Sequence, residues 1–381
     1  MRQTADLAII GGGCAGLSLA MRLAAHEDHH LRCIILEPRM QYQDDRTWCF
    51  WAGDDHEFRP LVSAAWPRWS FSSDGEAVIH AGQGLAYQAI RSIDFYQHAL
   101  QRIEPDPRME LCRGHEVRAV EPAGQGGFRI ETQQGIFEAT QVVDTRPPRH
   151  CQSEIDQAFV GSEIETEDPL FDPSTAGLME GMTTGAAGFH FTYLLPFAPN
   201  RALIELTYFA PQAPAREHLE SKLAAAIQER VGRGYATRRS EAGVIPMGLR
   251  LPDSNMPSAY RRGGTAGGAV RAGTGYAFLH IQRWSQQAAQ ALIDNRRLPE
   301  RPAQPRVLDW MDRVFLRVLA RHQADAPGYF MAIARALDAP AFVRFMQDAP
   351  RPLDVLKVIR ALPPKPFVHG LLSAPGRRMP C

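Results

Sequence analysis

The sequence has little that would fit an oxidising compartment or a bilayer interior. Its six cysteines, at positions 14, 33, 49, 112, 151 and 381, include no Cys-x-x-Cys pair and no histidine partners at metal-ligand spacing. That pattern excludes a zinc module and a disulfide framework and predicts reduced thiols in a cytosolic protein. No apolar run reaches the roughly 18 residues of a spanning helix. The chain also passes almost directly from Met1 into its first apolar strand, so neither a transmembrane helix nor a signal peptide is expected. Net charge is zero, with 42 Lys/Arg against 42 Asp/Glu. The balance hides an asymmetry, because residues 301–381 hold thirteen Lys/Arg against six Asp/Glu and leave 29 against 36 to residues 1–300. A basic tail points to an anionic membrane surface or nucleic acid, or else to a solvated basic face.

What is present begins at Asp6. Leu7 to Ile10 read as a strand buried on both faces, and Gly11, Gly13 and Gly16 occupy the three positions of a G-x-G-x-x-G turn. Gly11 would make the tight turn, Gly13 would let the backbone approach a pyrophosphate, and Gly16 would let the next helix pack on the strand. The helix opening at Cys14 and Ala15 would aim its N–H groups and positive dipole end at the phosphates. Leu31 to Leu36 supply a second strand ending in Glu37, about 20 residues past the last glycine, where an acid accepts from a ribose hydroxyl. Strand, helix, strand and terminal acid together predict a dinucleotide site. A second glycine-rich stretch, Gly263 to Gly275, precedes a helix more than 240 residues later. Two such turns embrace one long cofactor, which favours FAD over NAD, with the ring system near Gly275.

Between the turns the chain changes character. A polar loop from Pro38 runs into Arg46, Trp48, Phe50 and Trp51, a plausible approach to the cofactor's reactive end or a hydrophobic plug. Residues 66 to 90 read as short strands, Ile90 to Leu100 as a helix, and Gln141 to Arg146 as a strand leaving the nucleotide fold. From about 155 to 250 long alternating strands dominate. His190–Phe197 pairs naturally with Ala202–Phe209, placing Leu203, Glu205, Thr207 and Phe209 on one face. If that face is buried, Glu205 keeps a proton near neutrality; if it is solvated, Glu205 is an ordinary surface acid. Residues 213 to 230 and the tail read as helical, with Arg313, Arg317 and Arg321 along one stripe of a helix whose other stripe is apolar. The fold class expected is α/β: a Rossmann-type FAD-binding domain (1–154, resumed at 251–300), an inserted mainly antiparallel β-sheet domain (155–250), and a helical C-terminal region (301–381) that touches membrane.

Several blocks carry a resemblance: Asp45-Arg46-Thr47-Trp48-Cys49-Phe50-Trp51, Phe159-Val160-Gly161 leading to Glu165, Phe171-Asp172-Pro173, Leu203-Ile204-Glu205, and Gly264 to Gly268 followed by Thr274-Gly275-Tyr276-Ala277-Phe278. In this order they resemble the bacterial and plant-type lycopene cyclases. The resemblance implies non-covalent FAD, active when reduced with NAD(P)H as reductant, and an acyclic membrane-dissolved carotenoid cyclised at its ends without net oxidation. It implies Glu205 as the acid, with Arg46 and Trp48 beside the reacting end. Cofactor contacts would come from Gly11, Gly13, Cys14, Ala15, Gly16, Glu37, Arg91, Val117, Gly267, Gly273, Thr274, Gly275 and Tyr276. A peripheral position on the cytoplasmic membrane face follows, with other carotenoid-pathway enzymes as neighbours and no nucleic acid or metal. The alternatives are an FAD-dependent monooxygenase or epoxidase, and a non-catalytic flavin-binding carotenoid carrier.

Overall fold

The first glycine motif folds as its pattern requires in the computed structural model, which describes residues 3–26, 30–124, 126–147, 152–250, 256–294, 298 and 305–372. Gln3–Ile10 is a strand, Cys14–Ala24 a helix and Cys33–Glu37 the next strand. Leu7 to Ile10 and Cys33 to Leu36 are buried, because a parallel sheet is covered on both faces. Met109–Arg113, Cys33–Glu37, Gln3–Ile10 and Ile136–Asp144 run parallel in that order, and Phe128–Thr132 and Val117–Pro122 extend the sheet antiparallel. Tyr260–Arg262 pairs in parallel with Ile136–Asp144. That pairing returns the late glycine segment to the side of the first turn, where the helix Phe278–Ile293 packs on Cys14–Ala24.

The second sheet is mainly antiparallel, in the order Tyr235–Met247, Ile155–Thr166, Arg201–Ala210, Gly188–Ala198, Thr175–Gly185, Arg68–Ser73, Glu76–Ala81. The expected hairpin forms, with Tyr193 opposite Glu205 and Leu195 opposite Leu203. Its last two strands come from far earlier in the chain than residue 155. Arg68–Ser73 pairs in parallel with Thr175–Gly185, and Trp69 and Phe71 are buried in the core that forms under this sheet. The hairpin thus leaves the nucleotide domain because its apolar face is completed elsewhere. A small sheet of Thr47–Ala52, Ala86–Arg91 and Val62–Trp66 makes the third. The helix Arg216–Val231 covers one face of the large sheet through Leu219, Leu223 and Ile227, spaced at i, i+4 and i+8.

The other face is covered by the tail. Among the described residues five α-helices follow residue 305: Arg306–Arg321, Ala326–Ala336, Ala339–Met346, Pro352–Ala361 and Pro364–Leu372. Proline sits in the first turn of Ala326–Ala336, Ala339–Met346 and Pro352–Ala361, where its missing N–H has no intrahelical partner to lose, and this cuts the tail into short pieces. The expected boundary at residue 300 falls outside the described residues. One buried cation ties the tail to the late glycine loop. Arg271 has no exposed side-chain surface and donates to both carboxylate oxygens of Asp312 at 3.0 Å, to the Phe345 carbonyl, and lies 3.4 Å from Asp348. Removing one partner of such a cluster leaves buried charge uncompensated, at about 3–5 kcal/mol. Arg271→Ala is therefore expected to lower the melting temperature by many degrees, and a shift of a degree or less in a thermal melt would contradict this account.

Candidate functional site

A cavity of about 870 Å³ runs from the first glycine turn to the large sheet, with Gly11, Gly13, Glu37 and Glu205 all on its wall. At the nucleotide end each glycine does a distinct job. Gly11 has φ of +95°, which L side chains rarely adopt. A Cβ on Gly13 would meet nothing within 4 Å, whereas one on Gly16 would lie 1.9 Å from the Gly11 carbonyl oxygen. Gly13 also caps the helix Cys14–Ala24, with no side-chain cap and no acid in the first turn, so the helix start is left to an anion. Glu37 is buried and accepts from the Gly12 N–H at 2.7 Å. Arg39 donates to both its oxygens, at 2.7 and 3.3 Å, so a hydroxyl reaching Glu37 exchanges with that guanidinium. Cys14 faces the same cavity, but burial pushes its thiol up to about 12. A thiolate nucleophile is not on offer there.

The late segment closes the cradle with Thr274, Gly275 and Tyr276. Gly275 has φ of +72°, and a Cβ there would sit 2.2 Å from Gln157 Oε1. That amide oxygen is buried without a hydrogen-bond partner and belongs to a cavity-lining residue. An unmet acceptor beside a glycine that admits close approach fits a ligand ring bearing an N–H. Ala15, Arg46 and Trp48 line the cavity as expected, Trp48 lying nearly parallel to Phe278. The period of two along Thr47–Ala52 sends Phe50 into the core behind Trp48 and turns Trp51 to a different cavity.

Four expected cofactor contacts lie elsewhere. Arg91 is off the cavity wall because Asp44 at 2.7 Å and Glu163 at 3.6 Å hold its guanidinium. Val117 is buried in the core of the first sheet, its carbonyl accepting from Arg146 at 2.8 Å. Gly267 ends a short 3₁₀ turn whose neighbour Thr265 reaches the cavity instead. Gly273 lies against Asp312 and borders the second cavity, described below. Gly16 acts through packing, as above.

At the sheet end, strand register aligns one row of residues. Gly161 is directly opposite Glu205 on one side and Glu241 on the other, and Tyr193 is opposite Glu205. Residues directly opposite one another point to the same face, so the row reads Glu241, Gly161, Glu205, Tyr193. Because Gly161 has no side chain, Glu205 and Glu241 hydrogen-bond over it; a Cβ at Gly161 would come within 3.2 Å of the Glu205 side chain. Thr47 donates to Glu241 Oε2 at 2.9 Å and Arg239 to the same oxygen at 2.8 Å. Arg239 also pairs with Glu163 at 2.8 Å and Asp44 at 3.4 Å. The Thr47 and Arg239 donors thus gather on Glu241.

Glu205 has the opposite surroundings. It is half-buried, open only to the cavity it lines, and Thr207 donates to it at 3.2 Å. Burial, then the charge and hydrogen bond of Glu241, push its carboxyl well above the usual range, against the pull of Thr207 and Arg239. The result is a carboxyl that favours its protonated form, the condition for general-acid work. The sequence reading missed Glu241, Arg239 and Asp44. They lie on or beside the closing strand Tyr235–Met247, whose earlier half, with Arg238, Arg239 and Glu241, looks like a polar loop in the sequence.

A second cavity, of about 300 Å³ and lined almost wholly by apolar side chains, lies between the large sheet and the tail helices. Tyr193, Thr274 and Tyr276 line both cavities. Tyr276 donates to the Tyr87 hydroxyl at 3.1 Å, and burial raises both phenols well above their usual range, so they remain neutral.

Comparison with known proteins agrees with this layout. The family described as "Lycopene cyclase protein" matches residues 6–371. Lycopene beta-cyclase of Paracoccus sp. (strain N81106 / MBIC 01143) is 29% identical over 65% of this chain and 62% of its own length, so this chain matches less than two thirds of that relative. Lycopene beta-cyclase of Pantoea ananas is 23% identical over 97% of this chain and 98% of its own. A flavin-dependent brominase shares the fold, with TM-score 0.58 at 14% identity over 94% of this chain and 93% of its own. With a match across nearly its whole length, and a Rossmann-type nucleotide domain joined to a mainly antiparallel sheet and a helical tail, the chain belongs to the lycopene cyclase family.

Proposed function

We propose that the protein is an FAD-dependent lycopene β-cyclase, converting lycopene to β-carotene through the monocyclic γ-carotene without net oxidation. The observation that carries this reading is Glu205, a carboxyl placed beside Glu241 on the wall of the cavity that the first glycine turn also lines, next to a second, apolar cavity that shares Tyr193 with it. Glu205 would donate its proton to C2 of the acyclic end, leaving a tertiary cation at C1. The C5–C6 double bond then forms the C1–C6 bond, and loss of a proton from C6 completes the β-ring. One proton enters and one leaves, so the formula is unchanged. After donation Glu205 is a carboxylate beside Glu241, a repulsive pair that makes it a ready acceptor for the C6 proton. Arg239 limits that repulsion, and neutral Tyr193 and the face of Trp48 border the cation's space.

Gly11, Gly13, Cys14 and Ala15 would hold the pyrophosphate, Glu37 the ribose, and Gly275 with Gln157 the ring of FAD. When bound and reduced, with NAD(P)H as the reductant, FAD would supply negative charge toward the cation without being consumed. The flavin dependence of the brominase with this fold supports FAD, and it also keeps open a second reading, a flavin monooxygenase acting on a polyene. Expression in a lycopene-accumulating bacterium, followed by chromatography of the pigments, tests the proposal. β-Ringed products are expected. Oxygenated pigment formed with stoichiometric NAD(P)H and O2 consumption would replace it by the monooxygenase, and unchanged lycopene by a carrier.

A further inference from the structure

We infer that the second cavity is the polyene's passage and that the face around its mouth docks on a lipid bilayer. The identity of the guest rests on the cyclase reading; the docking rests on the surface alone. Four residues that line the cavity are also exposed: Trp310 at 49%, Ile359 at 50%, Val368 at 48% and Leu371 at 41%. The cavity therefore opens between the helices Arg306–Arg321, Pro352–Ala361 and Pro364–Leu372. Val307, Leu353, Leu356 and Leu372 are exposed on the same three helices. Together they make eight of the twelve exposed large apolar side chains among the described residues, all within residues 307–372. Isolated surface apolars are ordinary, but such a concentration marks an apolar contact surface.

The inner end of the cavity fits a polyene end group. Tyr193 borders it, is directly opposite Glu205 and also lines the cavity that holds Glu205, so the route from the mouth ends at the wall shared with the acid's cavity. A hydrocarbon chain offers no hydrogen bonds, and the walls between, which include Phe191, Phe209, Phe315 and Phe330, ask for none. The occupant outside is a bilayer rather than a second copy on grounds of charge. Arg306, Arg360 and Lys365 are exposed on the same helices. Anionic headgroups complement them, whereas two copies meeting face to face would bring like charges together. The arginine stripe expected from the sequence is a lesser part of this face. Arg313 pairs with Asp309 on its own helix at 2.9 Å, and Arg317 is half-buried.

The test uses the full flavin-loaded chain and vesicles of phosphatidylcholine with or without phosphatidylglycerol. The wild type is expected to float with both, more strongly with the anionic lipid, and salt should remove only the difference. A Leu353→Ser/Leu356→Ser/Leu372→Ser variant should lose flotation at least tenfold, with flavin absorbance and melting temperature kept. It should lose cyclisation of vesicle-borne lycopene but not of detergent-dispersed lycopene. Ile333→Trp, which narrows the cavity from within, should float normally and lose cyclisation in both media. Wild-type protein that stays in the dense layer, a serine variant that floats equally well, or a dimer that the serine variant dissociates would overturn the docking. Full activity of Ile333→Trp would overturn the passage. Flotation without cyclisation of lycopene in any medium would instead remove the cyclase reading and leave the docking standing.

Discussion

Glu205→Gln is expected to lower ring formation by about 10²–10⁴-fold, the usual worth of a positioned general acid, while FAD stays bound. Glutamine preserves the shape and the contact with Thr207 but has no acidic proton to give. Neither its neighbour Glu241 nor the phenol of Tyr193 is a substitute: the first is engaged by Arg239 and Thr47, and burial pushes the second above its usual range. The same proton has a signature in folding. Above the ordinary glutamate value of 4.5, the unfolded chain loses a proton that the folded chain keeps. Stability is therefore fully supported below that value and declines as pH rises toward the raised folded-state value, by at most about 1.4 kcal/mol per pH unit. Urea midpoints of wild type and variant across pH 5 to 8 report it, since the glutamine protein lacks this slope. Ring formation within a few-fold of wild type would remove Glu205 from the chemistry.

The second large effect is expected at Gly16. A methyl group there lies 1.9 Å from the Gly11 carbonyl, so Gly16→Ala forces the helix from the strand and distorts the turn itself. Bound flavin, read from its visible absorbance after purification, should fall by on the order of 100-fold in affinity or vanish, with a lower melting temperature. Gly13→Ala separates the two causes. Its methyl meets nothing in the protein, so that variant should melt like the wild type and still bind flavin weakly. Equal melting temperatures for all three proteins would show that Gly16 has no packing role.

The features legible in the sequence are those specified locally. A tight turn, a helix start and a strand-end acid lie within 32 residues, Asp6 to Glu37, and each occupies its expected place. The hairpin carrying Glu205 was equally readable, because a short connection between two apolar strands fixes its own register. Glu241 was not, since its role exists only through pairing: both acids are opposite Gly161, 44 and 80 residues before them. Arg68–Ala81 was readable as strands, but the sheet it joins was not, its partner strand lying about 100 residues further on. Arg91 shows a different limit. A lone arginine near a nucleotide turn suggests phosphate, but Asp44 and Glu163 compete for it, and ion pairs across the chain are invisible to spacing.

Tyr193, Thr274 and Tyr276 belong to both cavities, so under the proposed function the flavin and the hydrocarbon would share three side chains. Any rearrangement of these three side chains on filling one cavity changes the free energy of filling the other. By linkage the factor is reciprocal: if the flavin tightens the hold on the hydrocarbon, the hydrocarbon tightens the hold on the flavin equally. A protein that retains its cofactor best with substrate in place would keep its flavin through repeated turnovers and release it when its lipid-soluble supply runs out.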